Sequence, residues 1–473
     1  MISSTNKRAF KPIYQRIGIK ILCFLLVSAC SFANKSYCFR LYLKDKGAPP
    51  FSISSPEAFL SVESVERRML REVFVDETDF PVSQAYMDEL IANGVSPVVQ
   101  SKWMKTVVVE SPDSAVVEKL KSISFVDSLT CVWNGVDRQG VLSCNEEDTS
   151  WFRSMDNPLE KLYGYAENQM EMLNGLRLHT IGYRGKEIRI ALIDAGFMNV
   201  NRIEAFSSMK LLGARNITFP GRSVFCEDDH GTKVLSCIAA NLPGVMVGTA
   251  PEASFLLIKS EDTRGEFPIE EDLWVAAVEY ADSVGVDIVS SSLGYFRYDS
   301  IVNYYSRSDL NGQTAFVSRI ADIAAQKGLL VVCSAGNEGG NEWEKITFPA
   351  DVPNILTVGS ITSDREKSSF SSVGMTADYR IKPDVVALGT MVCVINSAGQ
   401  VQYTNGTSFS APIVAGLAAC LWQAFPLLKN TELIKLIKNS SSQYQHPDAQ
   451  LGYGIPDMLD AYNKANHDAW RSF

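Results

Sequence analysis

"IRIALIDAGF", residues 188–197, sets Ile188, Ile190, Ala191, Leu192 and Ile193 almost without interruption before an acid, Asp194, and a glycine, Gly196. A run this apolar at successive positions reads as a strand covered on both faces, because a half-exposed strand would alternate. Five further runs have the same character: "SFLLIKS" (254–260), "VDIVSSSLG" (286–294), "LLVVCSAGN" (329–337), "ILTVGSI" (355–361) and "PDVVALG" (383–389). Helical patterns stand between several of them, at "HGTKVLSCIAANL" (230–242), "IEEDLWVAAVEYADSVG" (269–285) and "TAFVSRIADIAAQKG" (314–328). Buried strands interleaved with helices predict an α/β fold, a doubly wound and mostly parallel sheet with helices on both sides. In such sheets ligands collect at the carboxyl ends of the strands.

Outside this block the chain changes character. Residues 34–150 carry strand-like runs at "SYCFRLYLKD" (36–45) and "KTVVVES" (105–111), with helical runs at "VSQAYMDELIANG" (82–94) and "DSAVVEKLKSI" (113–123). This predicts a small α+β domain without a chemical cluster, joined to residues 151–473 through an acidic, exposed linker, "CNEEDTSW" (144–151). At the extreme N-terminus, Lys7, Arg8, Lys11, Arg16 and Lys20 precede the apolar run from Ile21 to Ala29. Residues 1–33 therefore read as an export signal cleaved after Ala33. "LVSAC", ending at Cys30, offers the alternative of a bacterial lipobox and an outer-surface lipoprotein.

The bulk numbers exclude several classes. With 473 residues, 46% hydrophobic and 21% charged, the chain has a sizeable core and more than one domain. A net charge of -10 disfavours nucleic acid as a partner. His179, His230, His446 and His467 have no zinc-site spacing, so no metal site is expected. Among the cysteines, Cys131 with Cys144 and Cys226 with Cys237 are spaced for two bridges, whereas Cys333 and Cys420 lie in apolar runs and read as core.

Three stretches carry chemistry. Asp194 ends the first strand, His230 opens a small-residue helix in "EDDHGTKVLSCIAA" (227–240), and Ser408 sits on a Gly-Thr turn in "TNGTSFSAPIVAGLAACLW" (404–422), before a buried helix over 409–425. Serine needs an adjacent base to become a nucleophile, and imidazole with a buried carboxylate behind it supplies one. The chain order Asp, His, Ser belongs to the subtilisin type of triad, and no G-x-S-x-G elbow surrounds Ser408.

On these motifs residues 165–460 resemble the subtilase (peptidase S8) family of serine proteases, of the exported bacterial type. The resemblance implies a secreted endopeptidase cutting proteins or peptides through an acyl-enzyme on Ser408. In "CSAGNEGG" (333–340) it implies Asn337 as an oxyanion donor, and in "SSSLG" (290–294) a backbone edge for extended substrate. Ser292, Leu293 and Gly294 would then wall the primary pocket opposite Ser334, Ala335 and Gly336, with Thr347 near its floor. The resemblance further implies that residues 34–150 are a propeptide acting as an intramolecular inhibitor. It requires no cofactor, and a structural calcium held by carbonyls would leave no residue pattern. Departures from the family pattern are Ala195 after the acid where a hydroxyl is common, Lys233 where a second histidine is common, and Phe409 where methionine is common. Two rival readings are a surface binding protein that kept the fold without catalysis, and a hydrolase of esters.

Overall fold

The computed structural model describes residues 35–136, 151–154, 156–299 and 304–471. The N-terminal unit runs β1 (Lys35–Leu43), α1 (Val62–Leu70), α2 (Gln84–Ala92), β2 (Ser96–Ser101), β3 (Thr106–Ser111), α3 (Val116–Lys121) and β4 (Val126–Val136). Its strands pair antiparallel in the order β2-β3-β1-β4. Successive residues of a strand point to opposite faces, and both faces of this sheet are used. Phe39, Leu41, Val107 and Val109 pack on Leu90 and Leu120 of its own helices. Cys38, Val108 and Trp133 instead join the core of the following unit.

That unit continues with α4 (Glu167–Glu171), α5 (Gly175–Thr180), β5 (Arg189–Asp194), β6 (Lys210–Asn216), α6 (His230–Ala239), β7 (Asn241–Leu242), β8 (Met246–Val247) and β9 (Ser254–Lys259). Then follow α7 (Ile269–Val284), β10 (Ile288–Ser291), α8 (Phe316–Gln326), β11 (Leu330–Ser334), β12 (Leu356–Ile361) and β13 (Val385–Leu388). The chain ends with β14 (Val392–Ile395), β15 (Val401–Thr404), α9 (Thr407–Ala424), α10 (Asn430–Asn439) and α11 (Met458–Arg471). A seven-stranded sheet in the order β13-β12-β11-β10-β5-β9-β6 organises it, and all its pairings are parallel. Ile190 and Leu192 of β5 face one core with Val234, Ile238 and Leu417 from α6 and α9. Ala191 and Ile193 face the other with Trp274, Val278 and Ile320 from α7 and α8. The expected double-sided burial of "IRIALIDAG" is thus realised.

The strand order places β9 on one side of β5 and β10 on the other, opening a crevice at their carboxyl ends. Asp194 is the last residue of β5, Ser334 the last of β11, and Ser292 follows β10 directly.

One expectation needs correction. Neither proposed bridge forms: Cys131 and Cys237 are free thiols, and Cys226 is disulfide-bonded but not to Cys237. Cys237 lies on the core face of α6, fully buried, where burial pushes its thiol well up. Strand β4 carries Cys131 and runs as far as Val136, and residues 137–143 lie outside the described residues. Cys333 and Cys420 are buried and free, as their apolar surroundings predict. The signal segment 1–33, with Cys30, and linker residues 144–150 also lie outside the described residues.

Candidate active site

Asp194 is held by the end of β5 with its side chain only 1% exposed. Its Oδ1 accepts the Ala195 N–H at 2.8 Å and faces His230 Nδ1 at 2.7 Å. Its Oδ2 is buried with no hydrogen-bond partner among the described residues, and Ala195 has no hydroxyl to offer it. His230 is the first residue of α6, and its own N–H donates to Asp228 Oδ1 at 2.7 Å. The helix can start this close to β5 because position 231 is glycine. A methyl group on Gly231 would lie 2.4 Å from the Gly196 carbonyl oxygen and 3.0 Å from the Asp194 Cβ. Burial opposes charging the His230 imidazole, but the Asp194 charge and hydrogen bond outweigh it, with Asp228 adding to them. The net effect is a pKa above the ordinary histidine value. With Nδ1 turned to the carboxylate, Nε2 is the nitrogen left for proton transfer.

Helix α9 begins at Thr407, two residues earlier than expected, so Ser408 lies inside its first turn rather than on a turn before it. The chain enters this helix through Gly406 at φ 152°, in a region that favours glycine. The Ser408 hydroxyl donates to the Ser292 carbonyl at 3.4 Å rather than to His230, and the Ser292 hydroxyl donates to the Ser408 carbonyl at 2.7 Å. Such loose catalytic contacts are common without substrate. The imidazole stays beside the same turn, its ring 5.8 Å from that of Phe409.

Being the second residue of a helix, Ser408 has a backbone N–H with no intrahelical acceptor. Asn337 sits against the same helix end. Its Oδ1 accepts the Thr407 N–H at 2.9 Å and the Thr407 hydroxyl at 3.0 Å. A backbone N–H can only donate, so the amide orientation is fixed and its NH2 group is left to donate elsewhere. The site therefore combines a hydroxyl, an imidazole backed by a carboxylate, and two donors of the kind that stabilise an oxyanion.

Ser292, Leu293 and Gly294 line a cavity of about 380 Å³ together with His230. Ser334, Ala335 and Gly336 lie outside that cavity and are tied to the same region by two bonds. Thr347 N–H donates to the Ala335 carbonyl at 3.1 Å, and Gly336 N–H to the Thr407 hydroxyl at 3.2 Å. Lys233 pairs with Asp229 one turn back at 2.7 Å. The motif reading missed the acidic lining of the cavity, with Asp228, Glu261, Asp262, Glu266 and Glu270 beside His230. Burial pushes the Glu261 carboxyl up to about 7. "SEDTRGEFPIEE" (260–271) is rich in acids, which is the signal that was available.

A family model described as the subtilase family matches residues 185–454, more than half of the chain. A second, the peptidase S8 propeptide domain of Bacteroidota, matches residues 38–146. Subtilisin NAT of Bacillus subtilis subsp. natto is 29% identical over 271 residues, covering 56% of this chain and 63% of that protein. The chain thus spans less than two thirds of that relative's length. The major intracellular serine protease of Bacillus subtilis (strain 168) is 32% identical over 251 residues, 51% of this chain and 70% of its own. Among solved structures, MycP1 with its N-terminal propeptide removed is similar in fold, with a TM-score of 0.50 and 22% identity over 65% of this chain and 97% of that one. The crevice residues, the parallel sheet and the matched span agree, and this chain belongs to the subtilase family.

Proposed function

We propose that the chain is an exported serine endopeptidase synthesised with its own inhibitor. Ser408 Oγ attacks the scissile carbonyl while His230 Nε2 takes its proton, and Asp194 stabilises the imidazolium that results. The Ser408 N–H and the Asn337 NH2 receive the oxyanion. The proton then passes from His230 to the leaving amine, and water repeats the sequence to release the acyl group from Ser408. No cofactor enters these steps. Residues 292–294 pair with extended substrate through backbone groups, which gives affinity without demanding particular side chains. Residues 1–33 direct export, and the N-terminal unit restrains the enzyme until it is cut away.

The observation that carries this reading is the Asp194–His230 contact of 2.7 Å, with the imidazole beside the first turn of α9. A fluorophosphonate probe should label Ser408, and Ser408→Ala should lose casein hydrolysis by a factor on the order of 10⁶, since a triad acts as a unit. Labelling of another serine, or wild-type turnover by Ser408→Ala, would overturn Ser408 as the nucleophile, and a wild type that neither labels nor hydrolyses casein would leave the fold with a binding role instead.

A further inference from the structure

The cavity beside His230 is walled by carboxyl groups. Asp228, Glu261, Glu266 and Glu270 line it together with Asp262, and no lysine or arginine among the described residues does. The two nearest cations in the sequence are committed elsewhere. Arg264 holds Asp262 through bonds of 2.8 and 2.6 Å, which neutralises that acid. Lys259 is fully buried and donates to the backbone carbonyls of Ala195 and Glu261 at 2.5 and 2.8 Å. Glu261 is the informative residue, only 8% exposed. Its Oε1 is fixed by the Tyr295 hydroxyl at 2.7 Å and the Ser260 hydroxyl at 3.0 Å, while Oε2 has no hydrogen-bond partner among the described residues. Glu270, also buried, accepts the Asp262 and Phe267 N–H groups at 3.0 and 3.1 Å. Burial, joined by the charges of Glu261 and Glu266, pushes its carboxyl well above the ordinary range. Acids crowded in this way oppose one another's ionisation, so stability of the fold does not account for them.

The place of the cavity in the crevice says what would answer that charge. It includes Ser292, Leu293 and Gly294 but not residues 334–336, and His230 stands in its wall. In an extended substrate paired along 292–294, successive side chains point to opposite faces. With the residue at the scissile bond turned toward 334–336, the second and fourth residues before the bond turn toward the acids. We propose that this cavity receives a lysine or arginine side chain two or four residues before the scissile bond, making the enzyme selective for basic segments of protein. The aliphatic stem lies along Leu293, and the cationic head meets Glu261 Oε2 and the exposed Glu266. This rests on the endopeptidase reading above and adds the class of substrate to it.

The test uses the full chain after its own maturation and tetrapeptide p-nitroanilides, in two series ending in alanine or phenylalanine. Lysine, norleucine (a similar chain without the ammonium) or glutamate is placed at the second, third or fourth residue before the bond. Wild type should hydrolyse a lysine peptide with kcat/KM at least tenfold above its norleucine partner at the second or fourth position, with glutamate slowest. At the third position, which faces away, the two should be nearly equal. Glu261→Gln keeps the shape and the acceptor for Tyr295 but removes the charge, and should lower the lysine-to-norleucine ratio at least threefold. Glu266→Gln, at an exposed position, should move the ratio the same way and serves should the Glu261 variant fold poorly. Lysine no better than norleucine at the second and fourth positions overturns the proposal while leaving the endopeptidase reading intact. So does an equal gain at the third position, or a ratio that survives both variants. Failure to cleave any of the peptides or casein, with no fluorophosphonate labelling, overturns both.

Discussion

Asn337 spends its carbonyl oxygen on Thr407, which leaves its NH2 group free for the role proposed above, receiving an oxyanion that exists only near the transition state. Asn337→Ala should therefore lower kcat by about 10²–10³ with KM little changed. A steady-state profile with the change confined to KM would place Asn337 on ground-state substrate instead. His230 must be neutral to act as base, so its raised pKa puts the acid limb of kcat/KM above the ordinary histidine value of about 6.5. Asp194→Asn removes the charge that lifts it and leaves burial, which lowers it. The limb should then move to lower pH while the rate at the plateau falls, and an unmoved limb in a pH–rate series would contradict the pairing. The proposed triad residues and Asn337 could be picked out in the sequence because each is embedded in a short motif, and the structure sets Asp194 against His230 and Asn337 against the start of α9. The unpartnered Asp194 Oδ2 was half legible, since Ala195 announced a missing hydroxyl but not whether another donor would replace it. The acidic cavity beside His230 was not read, because its acids acquire meaning only when the loop after β9 folds back over the crevice.

Helix α6 delivers the imidazole only because its first turn touches the end of β5. Gly231→Ala would place a methyl group 2.4 Å from the Gly196 oxygen, forcing the helix start away from Asp194. The expected result is a stability loss of about 1–3 kcal/mol, typical of overpacking, and a larger fall in kcat than that loss explains. Thermal unfolding together with fluorophosphonate labelling rates separates the two effects; a variant that labels at the wild-type rate would mean the contact is slack. Elements were legible in proportion to their burial. The six apolar runs became β5, β9, β10, β11, β12 and β13, because strands covered on both faces leave an unbroken apolar signature. Strand β6 left none, since it is an edge whose Lys210, Leu211, Leu212 and Arg215 are exposed. Helix α1 was hidden for the opposite reason. Its Arg67 and Arg68 look like solvent residues but are buried against the neighbouring unit.

Those arginines belong to an ionic seam that holds the two units together. Arg67, Arg68 and Lys102 of the N-terminal unit converge on Asp282 of α7 at 2.6, 2.7 and 3.4 Å. Arg40 grips Asp272 of the same helix through two bonds of 2.6 and 2.7 Å, and Lys327 reaches back to Asp79 at 3.0 Å. Glu279 accepts the N–H groups of Lys102 and Trp103 at 2.8 and 3.1 Å. Removing one partner from such a buried pair costs about 3–5 kcal/mol, because the other charge stays desolvated. Burial alone would raise the Asp282 carboxyl, but Lys102, Arg68 and Arg67 together hold it below the usual value. Asp79 is likewise held down, by Arg68 and Lys327 against burial. A depressed carboxylate stabilises the docked state above its free pKa of about 3.9, and that contribution is lost as pH falls. Glu279, raised by burial, works the other way at mildly acidic pH, so the seam should loosen only below about pH 4. Wild-type precursor should thus yield two fragments that still co-elute on a sizing column at pH 7, silent toward casein, and that separate after acid treatment. Ser408→Ala should remain one intact chain under both conditions. Asp282→Ala, which leaves three cations facing no anion at that point, should separate at neutral pH and show casein hydrolysis early. Fragments that part freely at pH 7 in wild type, with no change on acidification, would mean that the seam does not govern release.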